Sequence, residues 1–209
     1  MAIHHPFSLF NIVHMDPYYI YRNGLTESFS NCKSFNVIGS LSCFEDLERL
    51  LSAKEHINVV LCEIYDASCN IAEGIKIIRR MIKKYPQISF ILLTSIDNDA
   101  ILMQCGAHNH FLKKMQIKSL IKIISQIKNR CVYFPAYNAI ERELTDTELS
   151  ILISFCHLHE IKEVGMANNF TYNYVSHIKR CIIKKMALKN NFGFLRLIVF
   201  IKNNNILSL

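Results

Sequence analysis

Apolar and polar residues follow two different periods within residues 1–128. Short runs of β-branched and other apolar residues, which are typical of buried strands, recur at residues 9–15, 35–38, 59–64, 89–94 and 110–112. Between these runs, apolar residues are spaced three or four apart, as in Ile75, Ile78 and Ile82, which indicates amphipathic helices. Because parallel strands need crossover connections, five strands that alternate with five helices predict an α/β fold with a doubly wound, five-stranded parallel sheet.

A different pattern follows this half. The periodicity lapses over residues 129–143, where Pro135 would break either a helix or a central strand. We therefore interpret this stretch as a linker between an N-terminal domain, residues 1–128, and an all-α C-terminal domain, residues 144–209.

Four helices are predicted in the C-terminal domain. Thr145 can cap the first helix, and Glu148 stands at the spacing of a capping box. The buried stripe of this helix is predicted at Leu149, Leu152, Ile153 and Cys156. A short second helix covers about residues 161–168, with its inward side chains at Ile161, Val164 and Ala167. The fourth, about residues 192–202, has one apolar face and further apolar residues elsewhere, namely Leu195, Val199 and Phe200.

The third predicted helix has one apolar and one polar face. Thr171 is placed to cap it. Its inward side chains are predicted to be Val175, Ile178, Ile182 and Met186. The opposite side presents Tyr172, Asn173, Ser176, His177, Lys179, Arg180 and Lys184. A hidden apolar seam behind a basic and polar face is typical of a helix that enters a DNA groove.

The distribution of charge points to the same partner. The 209 residues carry a formal net charge of +7. From Val164 to the C-terminus there are seven Lys or Arg residues and no Asp or Glu. Phosphate is the complementary surface for such a segment, so double-stranded DNA is the expected partner.

Other classes of protein are not expected from the composition. The eight cysteines contain no CxxC pair and resemble reduced core residues. No apolar run approaches bilayer length, so we expect a cytoplasmic protein with no membrane partner. The six glycines form no phosphate-binding loop. The pairs His108/His110 and His157/His159 have a spacing that separates them on a helix. We therefore expect no catalysis, no metal and no cofactor.

Polar residues stand at the predicted carboxyl ends of the strands, the edge where open parallel sheets place their chemistry. They are Asp16, Glu63, Thr94 or Ser95, and Lys113. The order acid, acid, hydroxyl, lysine resembles that of bacterial response-regulator receiver domains. The segments MDPYYIYRNGL, INVVLCEIYD, FILLTS and GAHNHFLKK are similar to the strand-end motifs of that family. The resemblance covers about residues 7–128.

A receiver resemblance implies a phosphorylation device, with an acidic pair that holds magnesium and an Asp that accepts phosphate. Here Asp16 is followed by Pro17, and Glu63 extends one methylene too far for good in-line transfer and magnesium geometry. His110 stands where an aromatic switch residue is usual. Two interpretations stay open: Glu63 and Lys113 form a permanent ion pair that imitates the activated state, or both are relics on a degenerate domain kept for packing and dimerisation. We favour the second.

Residues 144–200 resemble the four-helix helix-turn-helix domain of the LuxR or NarL type. The matching positions are Leu144, Thr145, Glu148, Val164, Val175, Ile182, Lys185 and Leu188. The resemblance implies base contacts at Ser176, His177 and Arg180, and phosphate contacts at Lys179, Lys184, Lys185 and Lys189. Tyr172 and Asn173 complete the expected DNA-binding set. The sequence departs from the pattern at Gly165, Tyr174 and Ile178, so the preferred bases do not carry over.

The sequence thus predicts a transcription regulator with a degenerate receiver-like domain and a DNA-reading domain. It resembles the non-phosphorylated auxiliary regulators of enterobacterial capsule and surface-structure genes, which share its lone-acid first motif. The fourth helix is apolar on most sides and needs a second partner, so we expect a homodimer or a heterodimer with another LuxR-type regulator. Two alternatives remain: a phospho-responsive regulator, and a protein-interaction anti-activator that does not itself bind DNA.

Overall fold

The structure, a computed structural model, describes residues 10–53, 56–107, 109–128, 143–158 and 160–203. The linker predicted at residues 129–143 lies outside the described residues except for Glu143. His108 and His159 also lie outside them.

Among the described residues, the first half of the chain forms one five-stranded sheet in which every neighbouring pair is parallel. The strands are β1 (Phe10–Met15), β2 (Phe35–Leu41), β3 (Val59–Cys62), β4 (Ser89–Thr94) and β5 (Asn109–Leu112), in the order β2-β1-β3-β4-β5. The helices are α1 (Tyr19–Ser30), α2 (Phe44–Ala53), α3 (Ile71–Lys84), α4 (Asp99–Leu102), a 3-10 helix (Met103–Cys105) and α5 (Ile117–Lys128). The predicted fold class is confirmed.

Strand β2 runs to Leu41, beyond the end at residue 38 that the apolar pattern predicts. Gly39 and Ser40 interrupt the apolar run, yet they pair with Val13 and His14 of β1. A Cβ atom at Gly39 would lie 3.0 Å from the side chain of Leu50, so the small residue suits this close approach. Backbone pairing, which the apolar period does not report, sets the end of this edge strand.

The core on one face of the sheet is built from strands and from two helices. It contains Ile12, Val59, Leu61, Ile91 and Leu93 from the strands, with Leu25 and Phe29 of α1 and Leu120 and Ile124 of α5. These side chains are at most a few per cent exposed, and burial of each contributes roughly 1.5–3 kcal/mol. The packing fixes the carboxyl edge of the sheet, where the polar side chains lie.

The described residues from 143 to 203 form four helices: α6 (Asp146–His157), α7 (Ile161–Asn168), α8 (Tyr172–Lys185) and α9 (Asn191–Asn203). The predicted capping box of α6 is present, since Glu148 N donates to Thr145 Oγ1 at 3.2 Å and Thr145 N donates to Glu148 Oε2 at 2.6 Å. Thr171 caps α8 by accepting a hydrogen bond from Tyr174 N at 3.3 Å. These local signals fix where both helices begin.

The buried faces agree with the sequence pattern except in α6 and α7. The predicted inward side chains of α8 and the predicted apolar face of α9 are buried. Of the side chains predicted to face inward in α7, Val164 is buried and Ile161 is partly buried. Ala167 is exposed, so its predicted inward position is wrong, because α7 turns Gly165 inward instead. A Cβ atom at Gly165 would lie 2.7 Å from the carbonyl oxygen of Phe170, which explains the glycine. Ile153 is only partly buried, because the buried face of α6 extends toward Ile151 and Phe155 and Ile153 lies at its opposite edge.

Two compact units divide the chain in a way that does not follow sequence order. The first takes the described residues within Met1–Glu63, Met81–Ser95 and Ala107–Phe134, and the second those within Ile64–Arg80, Ile96–Gly106 and Pro135–Leu209. The beginning of α3, helix α4 and the 3-10 helix therefore belong with the C-terminal helices. Within the described part of the chain, no helix is both long and apolar enough to cross a membrane.

Candidate functional site

The polar side chains predicted at the strand ends meet at the carboxyl edge of the sheet. Lys113 Nζ lies 2.5 Å from Asp16 Oδ2 and 2.8 Å from Glu63 Oε2. The three side chains are 13%, 3% and 0% exposed, respectively. Thr94 is buried at the end of β4, and its carbonyl oxygen accepts a hydrogen bond from Lys113 N at 2.8 Å. One ammonium group therefore faces two buried carboxylates.

Both carboxylate oxygens of Asp16 are engaged within the protein. Tyr18 N donates to Oδ1 at 2.9 Å, and Lys113 takes Oδ2. Arg22 donates from Nη1 to the main-chain carbonyl of Asp16 at 2.6 Å and so fixes the segment that follows β1. A divalent cation that used Asp16 and Glu63 would have to displace Lys113 from both.

Two tyrosine rings cover the Lys113 ammonium group. Its Nζ atom lies 5.2 Å from the ring centroid of Tyr18 and 4.7 Å from that of Tyr21, which are cation–π distances. Burial, together with the charges of Asp16 and Glu63, raises the pKa of Tyr21, so its hydroxyl stays protonated. The Nζ atom itself is buried, which strengthens its ion pairs.

His14 is a buried group near this site that the sequence did not single out. Its Nε2 atom lies 2.9 Å from Thr26 Oγ1 of α1. Burial, and then the charge of Arg22, lowers the pKa of His14 to about 4, so the imidazole is neutral at physiological pH. We interpret it as a packing residue between β1 and α1.

Most of the predicted DNA-binding residues are exposed on one face of α8 and just beyond its end. Tyr172 is 52% exposed. The others in the exposed class are Asn173, His177, Arg180, Lys184 and Lys189, while Ser176 is partly buried. Helix α8 contains no Asp or Glu. The face can therefore donate several hydrogen bonds and carries only positive formal charge.

Lys179 and Lys185 are directed into their own domain. Lys179 Nζ lies 4.9 Å from the ring centroid of Phe194, and burial lowers the pKa of this lysine. Lys185 Nζ lies 2.7 Å from Glu148 Oε2 and donates to the carbonyl of Glu143 at 3.1 Å. The helix period contains a signal for both, because Lys179 and Lys185 each stand three positions from the buried Ile182.

The surroundings of Glu148 have two opposing effects on its pKa. Burial raises the pKa, but hydrogen bonds from Lys185 and from Thr145 N, together with the Lys185 charge, outweigh it. The pKa of Glu148 is therefore held below its usual value, and the ion pair is formed at neutral pH.

Two exposed apolar surfaces lie on the C-terminal helices. On α9, Phe192, Leu195 and Val199 are 67%, 56% and 54% exposed. Near the start of α8, the rings of Phe170 and Tyr174 lie 4.7 Å apart. The α9 positions follow the spacing of a helix face, as the sequence predicted for Leu195 and Val199. The sequence did not single out the Phe170 ring pair.

The comparisons with known proteins favour one architecture. No protein-family profile matches the chain. The response regulator GacA of Pseudomonas aeruginosa is 22% identical over 122 residues, which cover 57% of this chain and 55% of GacA. The chain thus spans about half the length of this curated relative. Among solved structures, RcsB of Salmonella typhimurium superposes with a TM-score of 0.62 at 19% identity, over 93% of this chain and 98% of RcsB.

The chain has the fold of RcsB. Further RcsB structures superpose as well. RcsB bound to the P1flhDC promoter in the presence of a phosphomimetic gives a TM-score of 0.61 at 19% identity, over 91% of this chain and 98% of RcsB. An RcsB–DNA complex gives 0.59 at 20% identity, over 90% and 97%. RcsB is a response regulator, and the likeness extends over both its sheet and its C-terminal helices.

Proposed function

We propose that this chain is a sequence-specific, DNA-binding transcription regulator whose helix α8 enters the major groove. The observation that carries the proposal is the outward face of α8, where Arg180, Lys184 and His177 are exposed on a helix without carboxylates. The fold supports it, since RcsB structures of the same fold contain promoter DNA. The charge pattern, the hidden apolar seam and the caps also support the proposal that α8 is a recognition helix, as in the LuxR type that the sequence resembles.

Each exposed residue has a role that follows from its chemistry. Arg180 reads guanine, because its fork can donate two hydrogen bonds to O6 and N7. Ser176 and His177 lie on the same face and contact neighbouring base edges, with Tyr172 and Asn173 at the first turn. Lys184 and Lys189 contact phosphates and supply affinity without sequence information.

The phosphate contacts of this proposal leave out two lysines that the family resemblance included. The ammonium of Lys179 lies over two aromatic rings, and that of Lys185 is paired with Glu148. Moving either group to a phosphate would break contacts inside the domain. We therefore assign both to packing of α8 against its neighbours.

In the proposed mechanism the receiver-like part acts without phosphoryl transfer. Lys113 pairs with both Asp16 and Glu63, and Glu63 stands where a receiver has its acceptor Asp. An acceptor must attack in line while magnesium is held next to it, whereas here a lysine fills the space between the acids. We propose that this domain, residues 1–128, is joined by the linker 129–143 to the reader, residues 144–209.

The proposed regulator acts as a dimer through α9. Phe192, Leu195 and Val199 form an exposed apolar stripe on a helix whose other face is buried in its own domain. A second copy, or a related LuxR-type chain, can cover this stripe, and a two-fold pair of readers then meets two half-sites. RcsB dimers on DNA are known for the same fold.

Selection of duplexes from a random pool, followed by fluorescence anisotropy at two salt concentrations, tests the proposed function. We expect an enriched motif, and an affinity that falls steeply as salt rises. If no motif is enriched and no salt-dependent binding appears, the chain is a protein-interaction module.

A parallel incubation with acetyl phosphate and magnesium is expected to leave the chain unlabelled; a label that Asp16→Ala abolishes would identify a phospho-responsive regulator.

A further inference from the structure

Arg79 of α3 is a charged side chain buried in the second compact unit, with only 6% exposure. Its Nε atom donates to the carbonyl of Gln104 at 2.5 Å, and its Nη2 atom to Gln104 Oε1 at 3.2 Å. Its Nη1 atom donates to the carbonyl of Leu144 at 2.6 Å. The Glu143 carboxylate lies 3.2 Å from Nη2. One guanidinium group thus joins α3, the 3-10 helix and the residues that precede α6.

Gln104 completes the arrangement from the other side. Its side chain is 3% exposed, and Oε1 also accepts a hydrogen bond from Leu144 N at 2.8 Å. Both backbone polar groups of Leu144 are therefore bound by side chains from residues 40 and 65 positions away. Leu144 is itself buried and directly precedes Thr145, the cap of α6. We name the contacts among Arg79, Gln104 and Leu144 the Leu144 clamp.

The Leu144 clamp is expected to be fully formed or fully broken. A buried guanidinium is strongly destabilising unless its donors are used, and a buried backbone amide needs an acceptor. Loss of Gln104 would leave both Arg79 and Leu144 short of a partner. Helices α3 and α6 are also joined by two exposed contacts, Lys76 Nζ to Ser150 Oγ at 3.4 Å and His157 Nε2 to Glu73 Oε1 at 3.5 Å. Such exposed contacts add little to stability.

With the Leu144 clamp closed, the outward face of α8 stays open. Arg180, His177 and Lys184 are exposed while Arg79 and Gln104 are buried. The Glu148–Lys185 ion pair joins α6 to α8. The Leu144 clamp, which fixes the start of α6, therefore also fixes α8. The clamp does not cover the reader.

We propose that Arg79 and Gln104 are positioning residues that hold the helix-turn-helix in one arrangement with α3 and the 3-10 helix, with the reading face of α8 exposed. The link to DNA rests on the function proposed above; the link to Leu144 does not. A reader held in place loses less conformational freedom on binding than a reader on a free tether. Two held readers in a dimer also keep their half-sites at one spacing.

Two substitutions of Gln104 in the full chain separate the clamp from a general effect on folding. Gln104→Leu removes the side-chain oxygen that accepts from Arg79 Nη2 and from Leu144 N, and leaves the main-chain acceptors of Arg79 in place. Gln104→Glu keeps a side-chain oxygen for each donor. Hydrogen exchange of residues 143–149 is expected to become about tenfold faster or more in Gln104→Leu. Exchange in α8 and α9, and all exchange in Gln104→Glu, is expected to stay as in the wild type. Affinity for the selected two-half-site duplex is expected to fall about tenfold in Gln104→Leu alone.

Unchanged exchange at residues 143–149 in Gln104→Leu would overturn the Leu144 clamp. Faster exchange with wild-type DNA affinity would overturn the positioning role. If the wild type selects no duplex, the proposed function fails, while the exchange data still decide whether the clamp exists. Arg79→Lys is the second variant, because it keeps a charge for Glu143 but lacks the fork that reaches both Gln104 and Leu144. It is expected to show the same faster exchange, and wild-type exchange in this variant would contradict the clamp.

Discussion

Lys185 Nζ lies 2.7 Å from Glu148 Oε2, and this ion pair joins the last turn of α8 to the first turn of α6. Glu148 also accepts a hydrogen bond from Thr145 N, so one carboxylate serves both the capping box and the packing of the two helices. The adjacent residue, Lys184, is exposed. Two neighbouring lysines of the proposed reader therefore have different surroundings.

Substitution of these two lysines is expected to give opposite results. Lys185→Ala leaves Glu148 buried without its ammonium partner and is expected to lower the free energy of unfolding by about 1.5–3 kcal/mol. Lys184→Ala is expected to change it by less than about 0.5 kcal/mol. It is also expected to weaken DNA binding and to reduce the salt slope by about 1. Urea denaturation measures the unfolding free energies, and anisotropy titrations measure the DNA affinities. Equal effects of the two substitutions would contradict a packing role for Lys185 and a phosphate contact for Lys184.

The lowered pKa of Glu148 predicts a dependence of stability on pH. Because the pKa is lower in the folded protein, the contribution of Glu148 is fully present above its usual value of 4.5 and is lost as the pH falls through the folded value. Glu148→Gln cannot titrate. The unfolding free energy of the wild type is expected to fall more steeply below that pH than that of Glu148→Gln. Parallel slopes for the two proteins would show that Glu148 does not contribute.

Lys113 is expected to be essential for the stability of the receiver-like part. Lys113→Met removes the only positive charge bonded to both Asp16 and Glu63 in the described contacts and leaves two buried acids facing each other. We expect a loss of about 3–5 kcal/mol. Lys114→Ala, at the exposed neighbouring position, is the control and is expected to cost less than about 0.5 kcal/mol. Chemical denaturation measures the unfolding free energy of both variants. An unchanged unfolding free energy in Lys113→Met would exclude a buried ion pair at this site.

The exposed stripe of α9 predicts the oligomeric state. Leu195→Glu is expected to shift the protein from dimer to monomer and to leave its unfolding free energy within about 0.5 kcal/mol, because Leu195 is 56% exposed. Arg196→Ala, the next residue and also exposed, is the control and is expected to leave the dimer intact. Sedimentation equilibrium distinguishes them. A wild type that is monomeric at all concentrations, or a dimeric Leu195→Glu, would contradict dimerisation through α9.

The sequence predicted the elements well where the signals are local. Thr145, Glu148 and Thr171 marked where α6 and α8 begin, because capping uses side chains within three residues of the helix start. Asp16, Glu63 and Lys113 each follow a predicted strand, and this position also placed them at one edge of the sheet, since parallel strands end on the same side.

Contacts between distant segments were not predictable in the same way. Arg79 binds the backbone of Leu144, 65 positions away, and no sequence period reports such a pairing. A signal in the sequence that could have pointed to Arg79 is its position four residues after the buried Ile75, on the apolar stripe of α3. The phosphate contacts predicted for Lys179 and Lys185 follow from the family resemblance, which does not report that Lys179 Nζ lies over the Phe194 ring or that Lys185 Nζ pairs with Glu148.

The affinities of Arg180→Ala for the selected duplex and for a scrambled duplex show whether α8 reads DNA. Arg180 is exposed on α8 and belongs to no internal ion pair in the described part of the chain, so its loss is not expected to affect folding. Arg180→Ala is expected to lose about 1–3 kcal/mol of binding free energy on the selected duplex and much less on the scrambled one, so that discrimination between the two falls. Wild-type discrimination in a folded Arg180→Ala protein would contradict it.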